Sequence, residues 1–218
     1  MTILPNEPYE AYQQYKANPD EEPEPHLFKI GWFGGAQHQE DIALVEHSFG
    51  LLAHDRSLDG KYKIYLGGWN ENPVYVDYER MLSCGGKNAN YGRIQAADIY
   101  SYVGGYNFIN ATIAPLRDTK FNRLKSELKV VEAGWMGKAI IASETIPYTD
   151  ILVHGHNGLL IPYGKKDAWY KAVKRFVNDP DYARSLAMQL SKDVRERFDI
   201  SKTAERRAEL YRSIGRKL

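Results

Sequence analysis

The chain has 218 residues, 43% apolar and 26% charged, enough for one compact domain of about 150–200 residues with additional trimming. With 29 Lys and Arg against 28 Asp and Glu, the formal charge of +1 gives no broad electrostatic reason to bind nucleic acid or an anionic bilayer. The single cysteine, Cys84, excludes an internal disulfide and a zinc site built on thiols, and is expected in the core or at a helix end.

Residues 1–26 carry five prolines and six acids against one lysine, a composition suited to an extended linker, with a short helix over 9–17 allowed by the pattern. From residue 27 the texture changes. Residues 27–33 read as a strand, Gly34-Gly35 as a tight turn, and 41–52 as a helix with apolar positions 42, 45, 49 and 52. Residues 62–66 give a second strand ending on Gly67-Gly68, 73–83 a weakly signalled helix, and 85–90 a loop. A helix is expected over 96–103, stopping at Gly104-Gly105, and a strand over 108–116. Residues 122–136 carry Leu124, Leu128, Val131 and Trp135 at steps that place one apolar stripe on a helical face. A strand at Ile140-Ile141, a turn at Pro147, a turn at His156-Asn157-Gly158, a strand over 159–161 and helices near 166–178, 181–197 and 201–215 complete the chain.

Strands alternating with helices at this spacing predict a doubly wound α/β domain, a mostly parallel sheet with helices on both faces. Ligands of such sheets sit outside the carboxyl ends of the strands, where each conspicuous motif here falls. The longest apolar run, residues 138–143, is far short of a membrane span, and no basic-plus-apolar leader opens the chain, so a cytoplasmic protein is expected.

Gly34-Gly35 reads either as a place where backbone N–H groups approach a phosphate or as an ordinary turn. His38 either donates to that phosphate or simply begins the helix. Residues 117–132 crowd five cations at a strand end and a helix start. Within them Lys125, Lys129 and Glu132 step by four and three on one helical face. An anion between the lysines would relieve their repulsion, and Glu132, about 10 Å further along the axis but leaning back, could accept two ribose hydroxyls. A solvated face with a Lys129–Glu132 ion pair is the other reading. His154 and His156 lack a matching carboxylate or cysteine, so no metal is expected. Ser126 and Ser143 lack a base partner, so no covalent nucleophile is assigned. The last 24 residues, with eight cations and four acids, read as a solvated helical face or a docking face.

Ile3-Leu4-Pro5-Asn6, Ile30-Gly31-Trp32-Phe33-Gly34-Gly35 with His38 and Asp41-Ile42, Ala114-Pro115-Leu116, Phe121-Asn122, Lys125-Ser126, Lys129, Glu132-Ala133-Gly134, residues 137–143 and residues 156–160 together resemble the C-terminal donor-binding domain of retaining glycosyltransferases of the GT-B type, glycosyltransferase family 4. The resemblance covers nearly the whole chain and is most specific over 114–160. It implies a Rossmann-like half-enzyme whose substrate is a nucleotide diphosphate sugar and which needs no cofactor. It assigns Glu132 to the ribose, Lys125 and Arg117 to the pyrophosphate, backbone near Ser126 and Glu127 to the phosphate and sugar end, and residues around Arg93 and Ile94 to the base. Many members carry a second Glu eight residues before the ribose-binding one. Here that place is Leu124, leaving Asp118 or Asn122 for the sugar hydroxyls.

The resemblance further implies a linker over 1–26, a nucleotide-sugar domain over 27–200 and a C-terminal helix over 201–218. The acceptor domain would lie elsewhere, so this half would bind donor without turnover and hold no catalytic residue of its own. The full enzyme would serve a glycan or lipid-linked acceptor, as in polysaccharide biosynthesis, with room for peripheral membrane association. Two other readings remain: an epimerase or phosphorylase relative on the same architecture, and a non-catalytic module whose cationic helix docks an acidic partner.

Overall fold

The computed structural model describes residues 26–215; the expected linker, save its last residue, and the short helix over 9–17 lie outside them. Six strands form one sheet in the order β3-β2-β1-β4-β5-β6, with every neighbouring pair parallel. They are β1 (Phe28–Phe33), β2 (Tyr62–Trp69), β3 (Tyr91–Gln95), β4 (Ala111–Ala114), β5 (Ala139–Ser143) and β6 (Leu159–Ile161). The helices are α1 (Gln39–His54), α2 (Pro73–Leu82), α3 (Leu128–Trp135), α4 (Ala168–Asn178), α5 (Pro180–Arg197) and α6 (Ile200–Gly215). This is the doubly wound α/β fold expected.

Alternation along the strands divides the core. In β5, Ala139 and Ile141 join one buried cluster with Ile30, Trp32, the apolar face of α1 and Phe176 of α4. Ile140 and Ala142 join the other with Phe33, Val130 and Val131 of α3 and Leu190 and Val194 of α5. Strands buried on both faces read as continuous apolar runs, which is why β5 is so plain in the sequence. The strand order reverses between β1 and β4, so the turns leaving those two strands diverge to opposite faces and open a crevice between them.

Three expectations need correction. Residues 96–103 are not a helix: after the edge strand β3 the chain loops, Asp98 accepts from the N–H groups of Tyr100 at 2.8 Å and Ser101 at 3.0 Å, and a 3₁₀ segment follows over Tyr102–Phe108. An Asp side chain that binds nearby N–H groups competes with helical pairing there. The strand expected over 108–116 is confined to Ala111–Ala114, ended by Pro115. The helix expected over 122–136 is split into a 3₁₀ turn at Asn122–Leu124 and α3 starting at Leu128, so Leu124 leaves the apolar stripe and is 86% exposed. Cys84 lies just past α2, half-buried in a left-handed turn with φ 54°.

Candidate functional site

A cavity of about 490 Å³ opens at the carboxyl ends of β1 and β2 and against the start of α3. Its first wall is the turn after β1. A Cβ on Gly34 would stand 2.5 Å from the Trp32 ring, so the residue is glycine for packing, whereas a Cβ on Gly35 would meet nothing within 4 Å. The turn is held from behind by α2: Tyr75 Oη donates to the Gly34 carbonyl at 2.9 Å and Tyr78 Oη to the Gly35 carbonyl at 3.3 Å. Tyr78 Oη also accepts from the His38 N–H at 2.9 Å. Gly68 lines the cavity from the end of β2 in a left-handed conformation, φ 78°, that only glycine adopts without strain.

The opposite wall is α3. Glu132 is only 4% exposed, and its carboxylate accepts from Tyr106 Oη at 2.9 Å and from Tyr102 Oη. Each carboxylate oxygen has two acceptor positions, so the tyrosines orient the group and leave capacity toward the cavity. Lys129, one turn earlier, donates to the Phe33 carbonyl rather than to Glu132 and thus ties α3 to the end of β1. Burial holds its ammonium below the usual lysine value, with the Lys125 charge adding and Glu132 and Asp41 opposing. The solvated-face reading of this helix therefore fails: its carboxylate is buried and its second lysine is committed to a carbonyl.

Beside the cavity, against His38 and Lys125, lies Asp41. This buried carboxylate accepts from His38 Nδ1 at 2.8 Å, the Arg117 N–H at 2.8 Å and Asn122 Nδ2 at 3.2 Å, and faces Lys125 Nζ at 3.6 Å. Burial alone would raise its pKa, but the hydrogen bonds from His38 and the Arg117 N–H and the Lys125 charge outweigh it and keep the group below the ordinary Asp value. Asp41 thus ties the turn after β1 to the loop after β4 across the switch point. That tertiary anchor explains the broken helix: with Asn122 pinned to Asp41 and to the Arg117 carbonyl, Lys125 is drawn into an extended conformation before α3 can begin.

Of the residues singled out in the sequence, the structure brings Gly34, Gly35, His38, Lys125, Ser126, Lys129 and Glu132 to this cavity. The other residues assigned to the donor do not line it. Arg117 directs its guanidinium to Glu40, outside the cavity lining. Asp118 pairs bidentately with Arg123 at 2.6 and 2.7 Å and accepts from Thr145 Oγ1, which hold its carboxyl at about 2. Asn122 serves Asp41, and Glu127 sits at the N-terminal boundary of α3. Arg93 is on the outer face of β3, bidentate to Glu79 and 4.3 Å over the Trp69 ring, while Ile94 packs on the second core cluster; the cavity is met there by Ala96 and Ala97.

Sequence reasoning passed over Tyr102 and Tyr106, whose spacing of four was hidden by glycines, and gave no role to Asp41. A carboxylate beside the apolar stripe 42, 45, 49, 52 was the signal available for it. Among the described residues no group of three or more His, Cys, Asp or Glu could hold a metal ion, and no helix is long and apolar enough to cross a membrane.

Residues 29–179 match the family described as Glycosyl transferases group 1, a span that runs from β1 into α5's approach and covers well over half of the chain. The chain belongs to this family. Among solved structures, this group 1 chain is similar to sucrose-phosphate synthase from Thermosynechococcus elongatus, with a TM-score of 0.76 at 16% identity over 100% of this chain and 53% of that one. It is also similar to Anabaena HepE in complex with UDP-glucose, with a TM-score of 0.76 at 15% identity over 97% of this chain and 57% of that one. A third is the C-terminal domain of a glycosyl transferase group 1 family protein, LpcC, from Francisella tularensis, with a TM-score of 0.64 at 15% identity over 87% and 98% of the two chains. The chain thus spans just over half the length of the first two, and at these identities the likeness concerns the fold. No curated protein sequence matches.

Proposed function

We propose that the chain is the donor-binding domain of a retaining glycosyltransferase that moves a sugar from a nucleotide diphosphate onto a glycan or lipid-linked acceptor. The observation that carries this reading is the placing of Glu132 and of Lys125-Ser126 on one cavity at the switch point, at the first turns of α3. A ribosyl diphosphate has hydroxyls for a buried, oriented carboxylate at one end and charge for a lysine and unpaired helix N–H groups at the other. The HepE structure named as a UDP-glucose complex supports the substrate class.

In this reading the base lies toward Gly68, Ala96 and Ala97, the ribose against Glu132, and the phosphates near Lys125, Ser126 and His38. As the sugar–phosphate bond breaks, charge develops on the leaving diphosphate, and Lys125 with the α3 N-terminus stabilises it electrostatically. The substrate is the nucleotide sugar alone, without cofactor or metal. The acceptor-binding half, joined through residues 1–26, holds the acceptor hydroxyl against the anomeric carbon, a positioning effect this chain lacks by itself. In this reading the full enzyme works in the cytoplasm.

Calorimetric titration of the 218-residue chain with UDP, GDP and ADP tests this. At least one binds, and Glu132→Ala weakens it about tenfold, equivalent to ~1.4 kcal/mol. No heat and no chemical-shift change with any of the three would sink the assignment.

A further inference from the structure

A second cavity, about 540 Å³ in volume, lies along the same carboxyl edge of the sheet, beyond the loop that follows β4. Its floor is apolar, formed by Leu116 at the end of β4, Ile161 of β6 and Trp169 of α4, with Leu44 of α1 beside them. Trp169 is buried and packs into the core, so the floor is rigid. Its rim is polar. Ser143 ends β5 and Glu144 follows it, and the loop after β6 brings Tyr163, Lys165 and Lys166.

This loop is held in place from α1. Ser48, fully buried, donates to the Lys166 carbonyl, and His47 Nε2 lies 2.9 Å from Asp167 Oδ1. The other charged groups of the rim are already matched: Glu46 pairs with Arg80 at 2.7 Å, and Asp118 with Arg123. Lys165, Lys166 and Glu144 have no ion-pair partner among the described residues. Two consecutive lysines on an anchored loop, sharing a cavity with an apolar floor, a carboxylate and hydroxyls, match a ligand with an apolar face, several hydroxyls and one anionic group. Those are the features of an acidic sugar.

The location adds a role. A groove lined by Asp41, Thr119, Phe121 and Lys125 adjoins the donor cavity at Lys125, and its Thr119 follows Asp118, which lines the second cavity. The second cavity therefore lies toward the diphosphate end of the donor cavity rather than its base end. We propose that it is a subsite for an anionic saccharide, the distal part of the acceptor, held by Lys165 and Lys166 on this chain. The acceptor role rests on the donor reading above; the binding does not.

The test is NMR titration of the full chain with glucose 6-phosphate, glucuronate, methyl glucoside and inorganic phosphate, with UDP, GDP and ADP in parallel. Glucose 6-phosphate or glucuronate saturably shifts the amides of Ser143, Tyr163 and Lys166, and which of the two binds tells phosphate from carboxylate. The Lys165→Glu/Lys166→Glu variant weakens that binding tenfold or more and leaves nucleotide affinity within twofold, while Glu132→Ala does the converse. An absence of saturable shifts with both acidic sugars overturns the subsite and leaves the donor reading standing. So does binding of inorganic phosphate as tight as that of the sugar phosphate, or of methyl glucoside as tight as that of either acidic sugar. Binding of an acidic sugar without any nucleotide supports the subsite and overturns the donor reading.

Discussion

Gly34 and Gly35 are neighbours in the chain but answer to different constraints. Gly34 lies against the Trp32 ring, so Gly34→Ala forces the indole or the turn to move and is expected to cost about 1–3 kcal/mol, read as a fall in Tm. Gly35 faces open space on the cavity wall, so Gly35→Ala is expected to leave Tm unchanged and to weaken nucleotide binding. Equal losses of stability in both variants would contradict this division. Asp41 is the other residue-scale case. Its carboxyl is held below the ordinary value of 3.8 in the folded state, so the stability it contributes is complete above the unfolded value and disappears as pH falls through the lower folded one. Asp41→Asn is therefore expected to be less stable than the parent by about 1–3 kcal/mol at neutral pH. The gap should narrow below about pH 4 in urea unfolding, as the parent's own carboxylate is protonated; a gap that does not vary with pH would show that the charge of Asp41 contributes nothing.

At the scale of elements, what the sequence disclosed and what it concealed follow from where each element gets its stability. The buried strands β1 and β5 and the amphipathic α1 and α4 were legible because continuous burial or a helical stripe dictates their composition. β3 was missed: it is a short edge strand, Tyr-Gly-Arg-Ile-Gln, half-exposed along its length, with an ion pair and a stacked arginine where a central strand would carry core residues. The start of α3 was misplaced because Leu124 fits the stripe locally, whereas Asn122 in the loop before it obeys Asp41, 81 residues away in the chain. The same gap explains the site. Lys125 and Glu132 were found from charge and spacing within one segment, but Tyr102 and Tyr106 reach Glu132 only through the fold. Packing between α3 and α5 gives an element-scale prediction: a Cβ on Gly134 would meet a Val194 methyl at 2.5 Å. Gly134→Ala should destabilise the chain although it gains up to about 1 kcal/mol of helix propensity. Adding Val194→Ala should recover part of the loss; simple additivity of the two would place the clash elsewhere.

For the whole molecule, the cavity proposed to take the donor is assembled from turns on both sides of the point where the strand order reverses. Gly34, Gly35 and His38 follow β1, Gly68 and Asn70 stand at the end of β2, Ala96 and Ala97 follow β3, and Lys125 to Glu132 follow β4. A ligand seated there links segments that are otherwise joined across the crevice by Asp41, by the Lys129 bond to Phe33 and by the Tyr102 and Tyr106 bonds to Glu132. Binding to the folded state alone then stabilises the chain as a unit. At a free nucleotide concentration about 100 times the dissociation constant the gain is ~2.7 kcal/mol, and for a chain of this size it should raise Tm by about 5–10 °C. Glu132→Ala, tenfold weaker, should show roughly half that rise at the same concentration, while Lys165→Glu/Lys166→Glu should show the full rise. Scanning calorimetry of the three proteins with the nucleotide that binds gives the comparison. Equal rises in the parent and in Glu132→Ala would mean that the nucleotide stabilises the fold from somewhere other than the cavity at the switch point.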